Sequence, residues 1–130
     1  MNIETAISTR LSEFTALTAL LNDSGIWAVL APESQKEPYI VWSIFDETPT
    51  EVMGGSTMPT IASLQISVYT STFDEIIPIT AQIKACLARF TGTVAGVVIQ
   101  TIFFEALTDL FDREDNNYHR AHTFRVFYEE

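Results

Sequence analysis

The stretch IASLQISVYT, residues 61–70, decides what kind of fold this chain adopts. Its side chains alternate between apolar and polar from one residue to the next. Successive side chains of a β-strand point to opposite faces, so this alternation predicts a strand with one buried face. The side chains expected on the buried face are Ala62, Leu64, Ile66 and Val68.

Other runs rich in β-branched and aromatic residues predict further strands. Residues 39–45 follow Pro38 and are apolar on both faces, which is typical of a strand inside a covered sheet. Residues 26–30 predict a weaker strand, and residues 94–107 predict a long one, bent near Gly96. A polar turn over residues 109–117 then leads into a last strand over residues 118–128. The last two strands are expected to form an antiparallel hairpin, because a short polar segment joins them. On the last strand, one face carries Phe124, Val126 and Tyr128.

Two segments carry apolar residues at the spacing of three and four that defines one face of a helix. The first covers residues 3–21, and Asn2 can cap its start. The second opens with Thr72 to Glu75 as a capping box, and Gly92 is expected to stop it. Pro78 should kink this helix or delay its start. Two amphipathic helices beside several strands predict an α+β fold, with a mostly antiparallel or mixed β-sheet and both helices packed on one of its faces.

The length of 130 residues fits a single domain spanning 1–130. Residues 46–60, which carry two prolines and two glycines, predict an extended loop within it. Loops of this length are uncommon in compact domains and are usually functional. This one also carries Val52, Met53 and Met58, and adaptable methionine side chains suit interfaces.

Composition and charge narrow the classes of function. The chain carries 17 acidic against 7 basic side chains, a formal net charge of -10, whereas tight nucleic-acid binding needs a basic patch. The single cysteine, Cys86, allows no intrachain disulfide and is expected to be a buried small hydrophobe. The chain shows no membrane span and no signal-peptide core, so assembly in the cytoplasm is expected.

The residue patterns that support catalysis or metal binding do not occur. His119 and His122 are three residues apart on a predicted strand, which places them on opposite faces. The acidic cluster that starts at Asp112 lacks the glycine and glutamate of a calcium-binding loop. No nucleophile elbow and no phosphate-binding loop occurs in the sequence. We therefore expect no enzyme activity, no metal and no cofactor.

Several stretches, taken in order, resemble the siphophage tail-completion family, which includes tail terminators and head–tail joining proteins. They are Pro38 to Val41, Leu64 to Tyr69 before the second helix, Gly92 to Ile102 after it, Asp109 to Asp112, Tyr118 to Arg120 and Phe124 to Glu129. Together they extend over essentially the whole chain, and their order and spacing carry the resemblance. The family has no catalytic residues to transfer to this sequence.

The resemblance implies a hexameric ring that ends the tail tube and meets the head connector. The expected partners are other copies of the chain, the tail tube protein and the connector or stopper protein, with DNA passing through the lumen unbound and no membrane involved. The expected location is the virion, after assembly in the host cytoplasm. Two alternatives stay open: an adaptor on the head side of the neck, and a small oligomeric ligand-binding protein or enzyme.

A ring interface joins two different patches head to tail. We expect one patch to combine the 46–60 loop with an exposed strand edge, because strand addition satisfies unpaired backbone groups. The candidate interface residues are Glu51, Val52, Met53, Met58, Arg113 and Arg120.

Overall fold

A computed structural model describes residues 2–21, 25–32, 34–48, 60–112 and 117–129 of the chain. The elements in chain order are α1 (Ile3–Glu13), α2 (Thr15–Thr18), β1 (Ile26–Ala28), β2 (Tyr39–Thr48), β3 (Thr60–Thr70), α3 (Phe73–Leu87), β4 (Gly92–Val94), β5 (Val97–Asp112) and β6 (Asn117–Glu129). The strands form one six-stranded sheet in the order β1-β2-β3-β6-β5-β4. β1 pairs parallel with β2, and every other neighbouring pair is antiparallel. The predicted α+β class with a mixed sheet is confirmed.

The core lies between the three helices and one face of the sheet, which we call the helix face. On β3 the alternation is realised as predicted, since Ala62, Leu64, Ile66 and Val68 are all fully buried. Phe124 and Val126 of β6 lie on the same face and are also fully buried. They pack with the apolar stripes of α1 and α3 in one cluster.

The first amphipathic segment forms two helices instead of one continuous helix. Asn2 caps α1 as predicted, because its side-chain Oδ1 accepts a hydrogen bond of 2.8 Å from the backbone N–H of Thr5. Phe14 then adopts a ψ of 89°, outside the helical region, and α2 adds one further turn. Leu11 before the break and Leu17 after it are both buried, so the apolar periodicity of the sequence could not reveal the break.

The second predicted helix starts where expected and ends earlier. α3 begins at Phe73, so Pro78 lies inside the helix and does not delay its start. The predicted stop at Gly92 is wrong, because α3 ends at Leu87 and Gly92 begins β4. The chain leaves the helix at Ala88, which has a ψ of 126°, and Arg89, with a φ of 63°, then donates its backbone N–H to the carbonyl of Ile102 on β5.

The long run from residue 94 is two strands. Ala95 and Gly96 both have positive φ, 50° and 83°, which are values of a two-residue hairpin turn. Val94 and Val97 pair across this turn, so the expected bend at Gly96 is a reversal of the chain. At its other end β5 continues to Asp112 and β6 starts at Asn117, which makes the polar connection shorter than predicted. The predicted β5–β6 hairpin is confirmed.

One arginine joins the helices to each other. Arg10, in the last turn of α1, donates its Nε–H to the carbonyl of Cys86 near the end of α3, at 3.0 Å. Its guanidinium lies 4.1 Å from the ring centroid of Phe90 and 5.5 Å from that of Phe14. These are cation–π distances.

Candidate functional site

The residues predicted for an interface fall mostly outside the described part of the chain. Glu51, Val52, Met53, Met58 and Arg113 all lie there. On either side of the predicted 46–60 loop, β2 includes residues 46–48 and β3 begins at Thr60. Arg120 is the one candidate whose surroundings can be described.

Arg120 links the β5–β6 hairpin to α3. Its Nε donates to Oδ1 of Asp109 at 2.5 Å and its Nη2 donates to Oδ2 at 3.2 Å, which makes a bidentate ion pair across the two strands. A third donor, Nη1, reaches the hydroxyl of Thr80 on α3 at 3.2 Å. The hydrogen bond from Arg120 holds the pKa of Asp109 below its ordinary value. The guanidinium is thus bonded within the chain, and an interface role for Arg120 remains a prediction.

The two histidines lie on opposite faces of β6, as predicted. His122 is fully buried on the helix face, where its ring nitrogens lie 3.2 Å from the Ile66 carbonyl and 3.2 Å from the Thr80 hydroxyl. Burial lowers the pKa of His122 to about 4, so the ring is neutral at pH 7. A neutral ring held by two neutral partners fills the core and supports no proton transfer to a substrate.

His119 belongs to a row of stacked rings on the opposite, outer face. Its ring centroid lies 4.4 Å from that of Tyr69, which in turn lies 5.0 Å from that of Tyr39. The interplanar angles of 15° and 17° show parallel stacking across β6, β3 and β2. Burial lowers the pKa of His119 as well. The three rings thus form one continuous stack on the outer face.

An exposed apolar cluster lies along β5 from Phe103 to Phe111. Phe103 and Leu110 project from the outer face and are 52% and 51% exposed. Leu107 and Phe111, on the helix face, are also exposed, since the helices do not extend over them. Large apolar side chains clustered in the open on both faces of one strand are typical of an interaction site. None of these four residues was singled out from the sequence, although the apolar run itself was visible there.

An apolar pocket adjoins this part of β5. It has a volume of about 240 Å³ and lies between the start of α3 and the β5–β6 hairpin. Its lining includes Phe73, Ile76, Phe111 and Tyr118. Its lining also includes one carboxylate, Asp109, which is already bonded to Arg120, and one histidine, His119. The pocket therefore suits an apolar side chain better than a reacting substrate.

Other candidate chemistry is limited over the described ranges. No group of three or more histidine, cysteine or carboxylate side chains is placed there to hold a metal ion. Cys86 is fully buried, and burial raises the pKa of its thiol to about 11, which keeps it protonated and unreactive. No helix among these residues is long and apolar enough to cross a membrane.

These features define a class of protein: a small α+β domain whose described residues expose an apolar cluster and hold no group of metal-ligating side chains. The family model described as tail completion protein gp17 matches residues 5–129. The chain therefore belongs to the tail completion family and is a structural protein of the phage virion tail.

A solved structure shares the fold over nearly its full length. A chain of the "Virion of native gene transfer agent (GTA) particle" superposes with a TM-score of 0.77, covering 98% of this chain and 95% of that chain. The sequence identity is 15%, so this likeness concerns the fold. No curated protein matches the sequence.

Proposed function

We propose that this protein works without catalysis, by forming a ring that ends the tail tube and joins it to the head connector. Six copies are the expected number. The observation that carries the proposal is the part of β5 beyond Ile102 that β4 does not cover, where Phe103, Leu107, Leu110 and Phe111 are exposed on the two faces of the strand. Long apolar edge strands promote association unless another chain covers them. Membership of the tail completion family supports the tail as the place of that association.

The dimensions of such a ring suit the passage of DNA. A domain of this length has a radius of gyration of about 14 Å, so neighbours in a ring would lie about 30 Å apart. Six of them leave an opening about 30 Å wide, which clears a DNA duplex of about 20 Å. The formal net charge of -10 per chain favours passage without binding, because acidic side chains repel phosphates.

One test is the mass of the protein alone and in contact with its expected partner. Size-exclusion chromatography with light scattering, followed by electron microscopy, should show particles of about six times the 14.6 kDa of one chain. If the free protein is monomeric, rings should form at the ends of added tail tubes. Monomers in both conditions would contradict the proposal. Co-purification with DNA-filled heads in place of tails would favour the head-side adaptor.

A second test concerns the segment between β2 and β3. We propose that Glu51, Val52, Met53 and Met58 contact the neighbouring subunit or the tube, and that Arg113 and Arg120 contribute from the β5–β6 hairpin. Deleting residues 52–58 should abolish ring formation or tail joining, while the isolated domain still unfolds cooperatively. Normal assembly of the deletion variant would remove this segment from the interface.

A further inference from the structure

The two sides of the sheet each leave part of a strand open. On β2, the three residues of β1 pair with residues 40–42, and the Val29 N–H donates to the Trp42 carbonyl. On β5, β4 pairs with residues 97–99, and Thr91 and Arg89 donate to the carbonyls of Gln100 and Ile102. Beyond these contacts, nothing in the described part of the chain pairs with the outer sides of residues 43–48 and 103–112. We call these two segments the β2 edge and the β5 edge.

The two edges share a few rows of the sheet and extend beyond them in opposite directions. The strand registers place Asp46, Ser63, Arg125 and Phe103 in one row that crosses β2, β3, β6 and β5. Residues 43–46 of the β2 edge lie level with residues 103–106 of the β5 edge. Further along, residues 107–109 of the β5 edge lie level with residues 40–42 of β2, where β1 is attached. A neighbour placed without a shift along the strands would therefore bring its β5 edge against β1.

The strand directions allow the two edges to pair between copies. β2 and β5 are separated by two strands, and each neighbouring pair in between is antiparallel, so β2 and β5 run in opposite directions. A ring rotation places copies side by side without inverting them, so corresponding strands keep the same direction relative to the ring axis. The β5 edge of one copy then faces the β2 edge of the next as an antiparallel pair, which is the arrangement that forms a regular ladder.

We propose that this pairing holds the ring together in a stepped register, in which each copy is shifted along the strand direction relative to its neighbour. The inference rests on the proposed ring. β1 occupies the side of β2 at residues 40–42, so an incoming β5 edge can pair only beyond residue 42. With Asp112 brought level with Ser43, the neighbour is displaced by about six residues, or about 20 Å at the rise of an extended strand. In a closed sheet, a shift of this kind is called the shear, and it tilts the strands relative to the axis.

Side chains and charges fit this contact. Pairing would cover part of the exposed surface of Phe103, Leu107, Leu110 and Phe111. The β2 edge carries the exposed carboxylates Asp46 and Glu47. In the stepped register Asp46 lies near Asp109, whose charge Arg120 compensates at 2.5 Å, and Glu105 is likewise paired with Arg125 at 2.6 Å.

Disulfide trapping between copies tests the register. Cys86 is fully buried, so introduced cysteines report without background. In the stepped register Asp46 lies near Thr108 and Leu110 of the neighbour, whereas an unstepped neighbour would place Phe103 level with it. The double variants D46C/T108C and D46C/L110C test the first arrangement, and D46C/F103C is the matched control.

Each variant is isolated as rings, or on tail tubes if the free protein is monomeric, and oxidised with copper phenanthroline. We expect a ladder of linked chains up to the full ring from at least one of the stepped pairs, and at most traces from D46C/F103C. The single variants D46C and T108C should stay unlinked on a non-reducing gel. Hydrogen exchange on the unmodified protein should show slowed exchange for amides of residues 43–48 and 103–112 on ring formation.

Three results would overturn the inference while the ring itself stands. A ladder from D46C/F103C alone would show an unstepped register. Linked dimers from T108C alone would show two β5 edges paired about a twofold axis. Rings seen by mass with neither crosslinks nor slowed exchange would place the interface elsewhere. Absence of rings under every condition would instead refute the proposed function.

Discussion

The two halves of β5 differ in both composition and surroundings. The first half, residues 97–104, carries no charged side chain, whereas the second half, residues 105–112, carries three acidic side chains among its apolar residues. On the helix face of the first half, Val97, Ile99 and Ile102 are fully buried beneath the helices, and β4 with the segment after α3 occupies the side of the strand away from β6. On the same face of the second half, Leu107 and Phe111 are exposed, and the described residues place no strand beside them. The helices and β4 therefore cover only the first half.

The two halves of β5 therefore contribute to different processes. The buried half contributes to the free energy of folding, because its side chains leave water when the domain forms. The exposed half leaves its apolar surface in water and gains stability only on contact with another molecule. Substitutions in the two halves should therefore affect different measurements.

A matched pair of phenylalanines gives the largest contrast. Phe124 of β6 is fully buried, and F124A should lower the free energy of unfolding by about 3–5 kcal/mol through lost burial and the cavity left behind. Phe103 is 52% exposed, so F103A should cost less than about 1.5 kcal/mol. Urea unfolding followed by circular dichroism measures both. Equal losses would show that Phe103 belongs to the core.

Acid should weaken the folded core through His122. Its pKa of about 4 in the folded protein lies below the ordinary value of 6.5, so the unfolded chain binds the proton more readily. The stability that His122 contributes is complete above pH 6.5 and is lost as the pH falls toward 4, by about 3 kcal/mol at most. Urea midpoints measured from pH 7 to pH 4 should fall accordingly. H122Q should reduce this slope, and an unchanged slope would assign it to other groups.

The ion pair between Arg120 and Asp109 tests how firmly the hairpin is held to the core. Because the Asp109 carboxylate is half exposed, solvent screens the pair, and a double-mutant cycle with R120M and D109N should give a coupling of about 0.5–1 kcal/mol. The lowered pKa of Asp109 means that this contribution is present at neutral pH and is lost as the pH falls through the acidic range. A coupling above about 3 kcal/mol would mean that the hairpin is as rigidly buried as the core.

The variant L110S should have the smallest effect on folding and a large effect on assembly. L110S replaces a half-exposed side chain on the β5 edge, and its free energy of unfolding should change by less than about 1 kcal/mol. Ring formation, followed by light scattering, should be reduced at least tenfold in apparent affinity. T93S on β4, outside the proposed contact, is the matched control and should assemble normally. Normal assembly of L110S would separate the exposed half of β5 from the interface.

The local patterns of the sequence predicted much of the fold. The alternation over residues 61–70 gave the buried face of β3, and the stripe of α3 gave its inward positions. The Asn2 cap and the opposite faces of His119 and His122 also follow from spacing alone. These features depend on neighbours in sequence, which is why they could be predicted.

The predictions that were wrong concerned features that depend on contacts between residues distant in sequence. The early end of α3 coincides with the bond from Arg89 to Ile102, and the turn at Ala95 places a residue other than glycine at positive φ. The sequence analysis predicted an exposed strand edge at the interface but not which strands carry it, because this depends on which strands neighbour β2 and β5. Strand order is set by the packing of the whole chain, so no local pattern encodes it. The predicted interface segment around Met53 lies outside the described residues and remains a prediction.

The position of Arg10 has a mechanical consequence. The carbonyl ends of α1 and α3 both carry partial negative charge and would repel each other where they converge. One guanidinium between them removes that repulsion and ties together two segments that are 76 residues apart in the chain. The helices should therefore move together, so that a displacement of α3 by a docked partner would also displace α1.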